Sequence, residues 1–232
     1  MSDQRYAPPQ APLAEPEQRP RAGGQIDIGE AFREAWAATW ANFGLLLGAS
    51  LLGLIIAIAS TVTIVGFFLI LPVLGWGWCR FMLNMLDGRG EFQDQFAGFS
   101  QYGETLPGML VLSLLMGLIG LAGQSVQYLG QFTHSGLITV AGVGVSLAWS
   151  FMVMPRLAFV WYFLVDQRLA PSEAIRACWD ATANQKLICF LLGLVSGLVT
   201  IVGFLCLVVG VIPALFVSAL MQAAAYRQLV AR

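Results

Sequence analysis

From Phe43 onward the chain alternates between long apolar stretches and short polar breaks, and the apolar stretches run close to membrane-spanning length. About 20 helical residues cross the roughly 30 Å hydrocarbon layer of a bilayer. Six stretches meet or approach that length, at approximately 43–60, 63–85, 106–123, 137–165, 187–203 and 205–226. The last two form one charge-free run from Leu187 to Met221, too long for a single span without extreme tilt. Gly203 is the expected dividing point. A five-span alternative would leave Arg227 and Arg232 on the opposite side from the other cations. The pattern predicts an all-α, polytopic membrane helix bundle of six transmembrane helices, folded as three hairpins.

Charge sharpens this picture. The chain is 58% hydrophobic and 11% charged, against roughly 25% charged in soluble domains. Arg33 precedes the first span, Arg89 follows the second, and Arg168, Arg176 and Lys186 follow the fourth. The opposite loops, near Ser60 to Thr63, Gln124 to Gly136 and Val202 to Gly203, carry no formal charge. Short cytoplasmic loops collect Lys and Arg, so both termini are expected in the cytoplasm and the protein in a cytoplasmic (inner) membrane. A net charge of -1 gives no basic excess for nucleic acid.

Residues 1–25 form a separate regime, with Pro8, Pro9, Pro12, Pro16 and Pro20 and almost no aliphatic side chains. Too little apolar surface is available to offset ordering entropy, so a disordered cytoplasmic tail is expected. No apolar run of signal-peptide type precedes Phe43, and the first span is expected to remain as an anchor. The membrane domain is then 26–232.

Within it the chain repeats. EAFREAWAAT at Glu30 to Thr39 matches EAIRACWDAT at Glu173 to Thr182, IVGF at Ile64 recurs at Ile201, and Pro72 has a counterpart in Pro213. Repeat-like units at about 27–86, 91–165 and 171–230 follow, each an amphipathic cytoplasmic helix leading into a hairpin. The first helix carries an apolar stripe of Ile28, Phe32, Trp36, Thr39, Trp40 and Phe43; the degenerate middle copy carries Phe92, Phe96 and Phe99. Asp27 with Glu30 has capping-box spacing, and Pro171 suits a first helical turn.

The candidate site residues are few. Arg80, Arg156 and Arg227 fall near the cytoplasmic ends of the even-numbered spans. There an arginine either snorkels as an anchor or binds an anionic lipid headgroup, or it pairs with Asp87, Asp166 or Asp180. Arg156 stands out because Pro155 disturbs its helix. Trp36, Trp40 and Trp179 read as interfacial anchors. Gly44 with Gly48, and Gly193 with Gly197, have the small-residue spacing that lets helices approach, within the chain or between copies.

Catalytic chemistry is thin. His134 is the sole histidine and lies in an uncharged loop. Cys79, Cys178, Cys189 and Cys206 have no CxxC spacing, and no phosphate-binding glycine loop is present. No enzyme, cofactor or metal site is expected.

The stretch PRLAFVWYFLVDQRLAPSEAIRACWDATANQK from Pro155 to Lys186, with DGRGEFQDQFAGF before it, resembles a broad group of bacterial multi-pass membrane proteins of unknown function. Their architecture is similar to the membrane domain attached to some glycerophosphodiester phosphodiesterases, although these 232 residues contain no such catalytic domain. The resemblance implies an all-helical bacterial membrane protein and no activity. The expected role is a non-catalytic membrane protein organising lipids or protein partners at the inner leaflet, with membrane lipids and a protein partner or homo-oligomer as companions. The alternative is a transporter or channel for a small or amphipathic solute, motivated by Pro72, Pro155 and Pro213 in the even spans.

Overall fold

The structure is a computed structural model; it describes residues 24–230 except Cys206, and for residues 64–65 and 207–209 the backbone alone. The expected N-terminal tail therefore lies almost entirely outside the described residues. Every element among those described is helical: α1 (Ile28–Ala41), α2 (Phe43–Thr61), α3 (Ile64–Leu69), α4 (Leu71–Leu86), a 3-10 segment (Phe92–Phe96), α5 (Ala97–Ser100), α6 (Tyr102–Phe132), α7 (Gly136–Leu157), α8 (Val160–Gln167), α9 (Pro171–Ala181), α10 (Lys186–Leu205) and α11 (Leu207–Val230). Six helices are long and apolar enough to cross a membrane.

Local chemistry sets most of the boundaries. Asp27 caps α1 by accepting from the Glu30 amide at 3.0 Å. Thr63 caps α3 through the Gly66 amide at 3.1 Å. The second span breaks at Ile70, ahead of Pro72, and the fourth breaks between Leu157 and Val160, just after Pro155. Gly88 supplies the positive φ of 66° that turns the chain after α4.

Two boundaries differ from expectation. The expected uncharged loop at 124–136 is mostly helix, and the turn shrinks to Thr133 to Ser135. Polar contacts tie the two helices there: Ser146 Oγ of α7 donates to the Gly123 carbonyl at 2.9 Å and to Gln127 Oε1 at 3.4 Å, and Trp149 Nε1 donates to the Ile119 carbonyl at 3.1 Å. Gly203 does not divide the last run, since α10 continues to Leu205. A side chain at Gly203 would overlap the Gly210 backbone and Ala214, so this glycine brings α10 and α11 together.

The faces of α1 are also resolved: Ala31, Ala35 and Thr39 are the buried positions, while Trp36 and Trp40, expected as interfacial anchors, are exposed. Phe32 stacks on Trp36 and Trp40 on Phe43, with the two tryptophans edge to face, forming one aromatic row whose exposed members are Trp36 and Trp40. The middle segment behaves the same way, with Phe92 and Phe99 outward and Gln95 and Gly98 inward. In a bilayer large apolar groups gain little by leaving lipid, whereas small residues let backbones close on each other. α9 completes the pattern: Ala174, Cys178 and Thr182 are buried and Trp179 is exposed.

Packing follows a regular order. The 3-10 segment and α5 lie against α4, α9 lies against α8 and α7, and α1 lies against α11. α4, α8 and α11 touch pairwise, with Tyr162 and Phe163 of α8 against Tyr226 of α11. This end of the bundle holds most of the core, and the α6–α7 hairpin extends away from it. Half of the Gly210–Val230 window is buried, against 6% for Gly136–Gln167.

Candidate functional site

The charged side chains gather at the packed end, and the three arginines meet different fates there. Arg227 on α11 is neutralised. It pairs with Glu34 of α1 at 3.3 Å and donates a short hydrogen bond to Asp87, the C-cap of α4. Asp87 also pairs with Arg89 at 3.3 Å. Beside this network Tyr226 donates to Asp166 at 2.9 Å and accepts from Gln167 at 3.3 Å. Leu83, Asp87, Asp166, Tyr226, Arg227 and Val230 surround a cavity of about 130 Å³. α4, α8 and α11 converge here because each ends at the same level of the core.

Arg156 is buried, 9% exposed, with no carboxylate within 4.0 Å among the described residues. Its guanidinium stands 3.4 Å from the Trp179 ring centroid and donates to the Trp179 carbonyl at 3.2 Å. Its Nε has no hydrogen-bond partner among the described residues. The backbone around it is fixed from α9. Because α7 ends at Leu157, the Arg156 carbonyl is among the last of the helix and needs a donor from outside it. Cys178 Sγ at 3.0 Å and Thr182 Oγ1 at 3.3 Å provide one. Burial pushes the Cys178 thiol up to about 12, although the Arg156 charge works in the opposite direction. The thiol is neutral and acts as a structural donor.

The energetics leave Arg156 under-compensated. An unpaired buried charge costs several kcal/mol, and a desolvated cation–π contact returns about 2 kcal/mol. An anion placed against the free edge of the guanidinium would make up the difference. On another face of α7, an apolar groove of about 470 Å³ opens toward α10, with Phe151, Met154, Pro155, Ala158, Cys189 and Gly193 in its walls; neither Arg156 nor Trp179 lines it.

Arg80 is half-buried. It lies over the Trp76 ring at 5.6 Å and makes no ion pair among the described residues. Asp180 is exposed and unpaired, so it joins neither cluster. The arginines therefore occupy three separate settings rather than one shared site.

Gly44, Gly48, Gly193 and Gly197 do not bring helices together within this chain, because a side chain at any of them would meet nothing within 4 Å. The close approaches are made by other glycines. A side chain at Gly77 would strike the Gln95 backbone, and one at Gly98 the Val73 carbonyl. Gln95, 1% exposed, is wedged between α2 and α4, where Gly53 and Gly77 leave room for it. Nothing in the sequence pattern pointed to Gln95, since a glutamine between two phenylalanines reads as the solvent face of a surface helix. No group of three or more His, Cys, Asp or Glu able to hold a metal ion occurs among the described residues. Comparison of the chain with protein-family models, with curated proteins and with solved structures finds no match.

Proposed function

We propose that this chain is a non-catalytic, multi-pass protein of a bacterial cytoplasmic membrane that organises anionic lipid at the inner leaflet. In this reading the charged end faces the cytoplasm, and the aromatic row on α1 rests at the membrane interface as an anchor. The observation that carries the proposal is Arg156: a buried guanidinium stacked on Trp179, with no carboxylate within 4.0 Å among the described residues. An uncompensated positive group suits the phosphate of an anionic lipid, and an apolar groove elsewhere on the same helix suits an acyl chain.

The groove lining also supports lipid over a hydrated solute. Its walls are apolar apart from Ser150 and Gln222, and a transport path would need polar groups to replace a solute's hydration. The test is lipid retention on purification in mild detergent, comparing the wild type with Arg156→Gln. Wild type should retain phosphatidylglycerol in preference to phosphatidylcholine, and the variant should lose that preference. Equal retention of both lipids by both proteins would sink the reading.

A further inference from the structure

We infer that the groove between α7 and α10 binds a membrane glycerolipid by the uncharged ester of its acyl chain, with Gln222 as the main hydrogen-bond donor and Ser150 as the second. The inference deepens the proposed function: it rests on the groove taking an acyl chain and does not draw on Arg156.

The groove opens toward the lipid, since Leu147, Phe151 and Leu194 line it and are exposed. α11 contributes one lining residue, the half-buried Gln222. Neither the Gln222 amide nor the Ser150 hydroxyl makes a hydrogen bond among the described residues. An amide facing hydrocarbon without a partner is costly, because no water is there to take its hydrogen bonds. No charged side chain lines the groove. The complement is therefore an uncharged hydrogen-bonding group at the head of an apolar chain. A glycerolipid carries that group on each ester-linked chain: its carbonyl accepts, while the Gln222 amide and the Ser150 hydroxyl donate. Depth agrees. Arg227, in the charged cluster, follows Gln222 by five residues on α11, which is about 7 Å at 1.5 Å per residue. The interfacial layer between water and hydrocarbon is about that thick, so Gln222 stands where ester groups border the hydrocarbon.

A second groove, of about 560 Å³ between α3–α4 and α6, supplies an internal comparison. Its walls repeat the first in register. Phe68, Pro72 and Gly75 line it where Phe151, Pro155 and Ala158 line the first, at one constant offset in the sequence. Met109 and Leu110 of α6 stand where Cys189 and Phe190 of α10 stand, at a second constant offset. The polar positions do not repeat. Phe67 takes the place of Ser150 at the offset of that wall, and α8 contributes Trp161 where α11 contributes Gln222. The hydroxyl that the second groove does have, on Ser113, already donates to the Met109 carbonyl at 2.7 Å. Two grooves with walls in one register thus differ in a free amide and a free hydroxyl. The walls give either groove room for a chain, and Gln222 with Ser150 gives the first a means of holding its ester.

The experiment uses the full chain in phosphatidylcholine nanodiscs doped with phosphatidylcholine bearing a photoreactive chain, in an ester-linked form and in an ether-linked form that lacks the carbonyls. Labelled peptides are mapped by mass spectrometry. The ester form should label the Met154 to Ala158 wall several-fold more than the ether form does, and the Pro72 to Cys79 wall of the second groove should show a much smaller difference. Gln222→Leu, and Gln222→Met as a closer match in shape, should bring the two forms level in the first groove. Ser150→Ala, at an exposed position, should lower the preference partway. Arg156→Gln should leave it intact. Equal labelling of the first groove by both forms in the wild type would overturn the inference. So would an equal ester preference in both grooves, which would assign it to the walls, or crosslinks between two copies across the groove, which would show protein in place of lipid. An ester preference that survived both Gln222 variants and vanished in Arg156→Gln would overturn this inference and leave the proposed function standing. Loss of the phosphatidylglycerol preference with the ester preference unchanged would do the reverse.

Discussion

The Arg156 guanidinium lies 3.4 Å from the centre of the Trp179 ring and donates to that residue's carbonyl, so one tryptophan meets the cation through its face and through its backbone. The contact ties the end of α7 to α9. Trp179→Ala should cost about 2 kcal/mol, the scale of a desolvated cation–π contact, read as a lower unfolding midpoint in micelles. Trp179→Phe should retain part of that. Equal losses for Ala and Phe would show that the ring face contributes nothing.

Glycine substitutions separate contact glycines from exposed ones. Gly98→Ala should destabilise by about 1–3 kcal/mol, because the new methyl meets the Val73 carbonyl, which cannot move without disturbing α4. Gly77→Ala should behave alike, since the obstruction is the Gln95 backbone. Gly53→Ala should cost less, because what it meets is the flexible end of the Gln95 side chain. Gly44→Ala and Gly48→Ala should leave the unfolding midpoint unchanged or slightly raised. A midpoint for Gly98→Ala equal to wild type would contradict the packing of α5 on α4.

The Glu34, Arg227 and Asp87 network is partly exposed, with side-chain exposures of 38%, 38% and 29%. Solvent screening then limits each pair. A double-mutant cycle on Asp87→Asn and Arg227→Gln should return a coupling below about 1 kcal/mol at low salt, and most of it should vanish in about 1 M salt. A coupling several times larger, or one insensitive to salt, would mean that the network is sealed from water.

Cys178 offers a pH test. Burial raises its thiol from 9.0 to about 12, so the folded state holds the proton more tightly than the unfolded chain does. The contribution to stability is complete below pH 9 and is lost as pH rises toward about 12. Cys178→Ser should flatten that alkaline decline. At pH 8 the native thiol should resist maleimide for hours and react on denaturation. Rapid labelling of the native protein would show that α9 detaches from α7.

Several features were legible from residues alone because they depend on one dimension of the chain. Six apolar stretches of the right length became six helices able to span a membrane, Asp27 and Pro171 marked helix starts, and Pro155 marked a break, each through contacts within a few residues. The prominence of Arg156 was also visible, through its charge and the proline beside it. The contact face of α1 was not legible, because periodicity reports which side of a helix is apolar and not which residues touch a neighbour; Ala31, Ala35 and Thr39 take the contact while Trp36 and Trp40 stay exposed. The fate of each arginine was likewise invisible. Whether Arg227 meets Glu34, 193 positions away, or Arg156 meets no carboxylate at all depends on which helices the fold sets side by side. Sequence by itself determined the spans, their breaks and the segregation of charge, because these are local properties of a chain in a layered solvent. Tertiary structure decided which faces touch, which glycines are needed, where Gln95 wedges between α2 and α4, and which arginines remain without a counter-charge, because each of these is set by contacts between residues far apart in the chain.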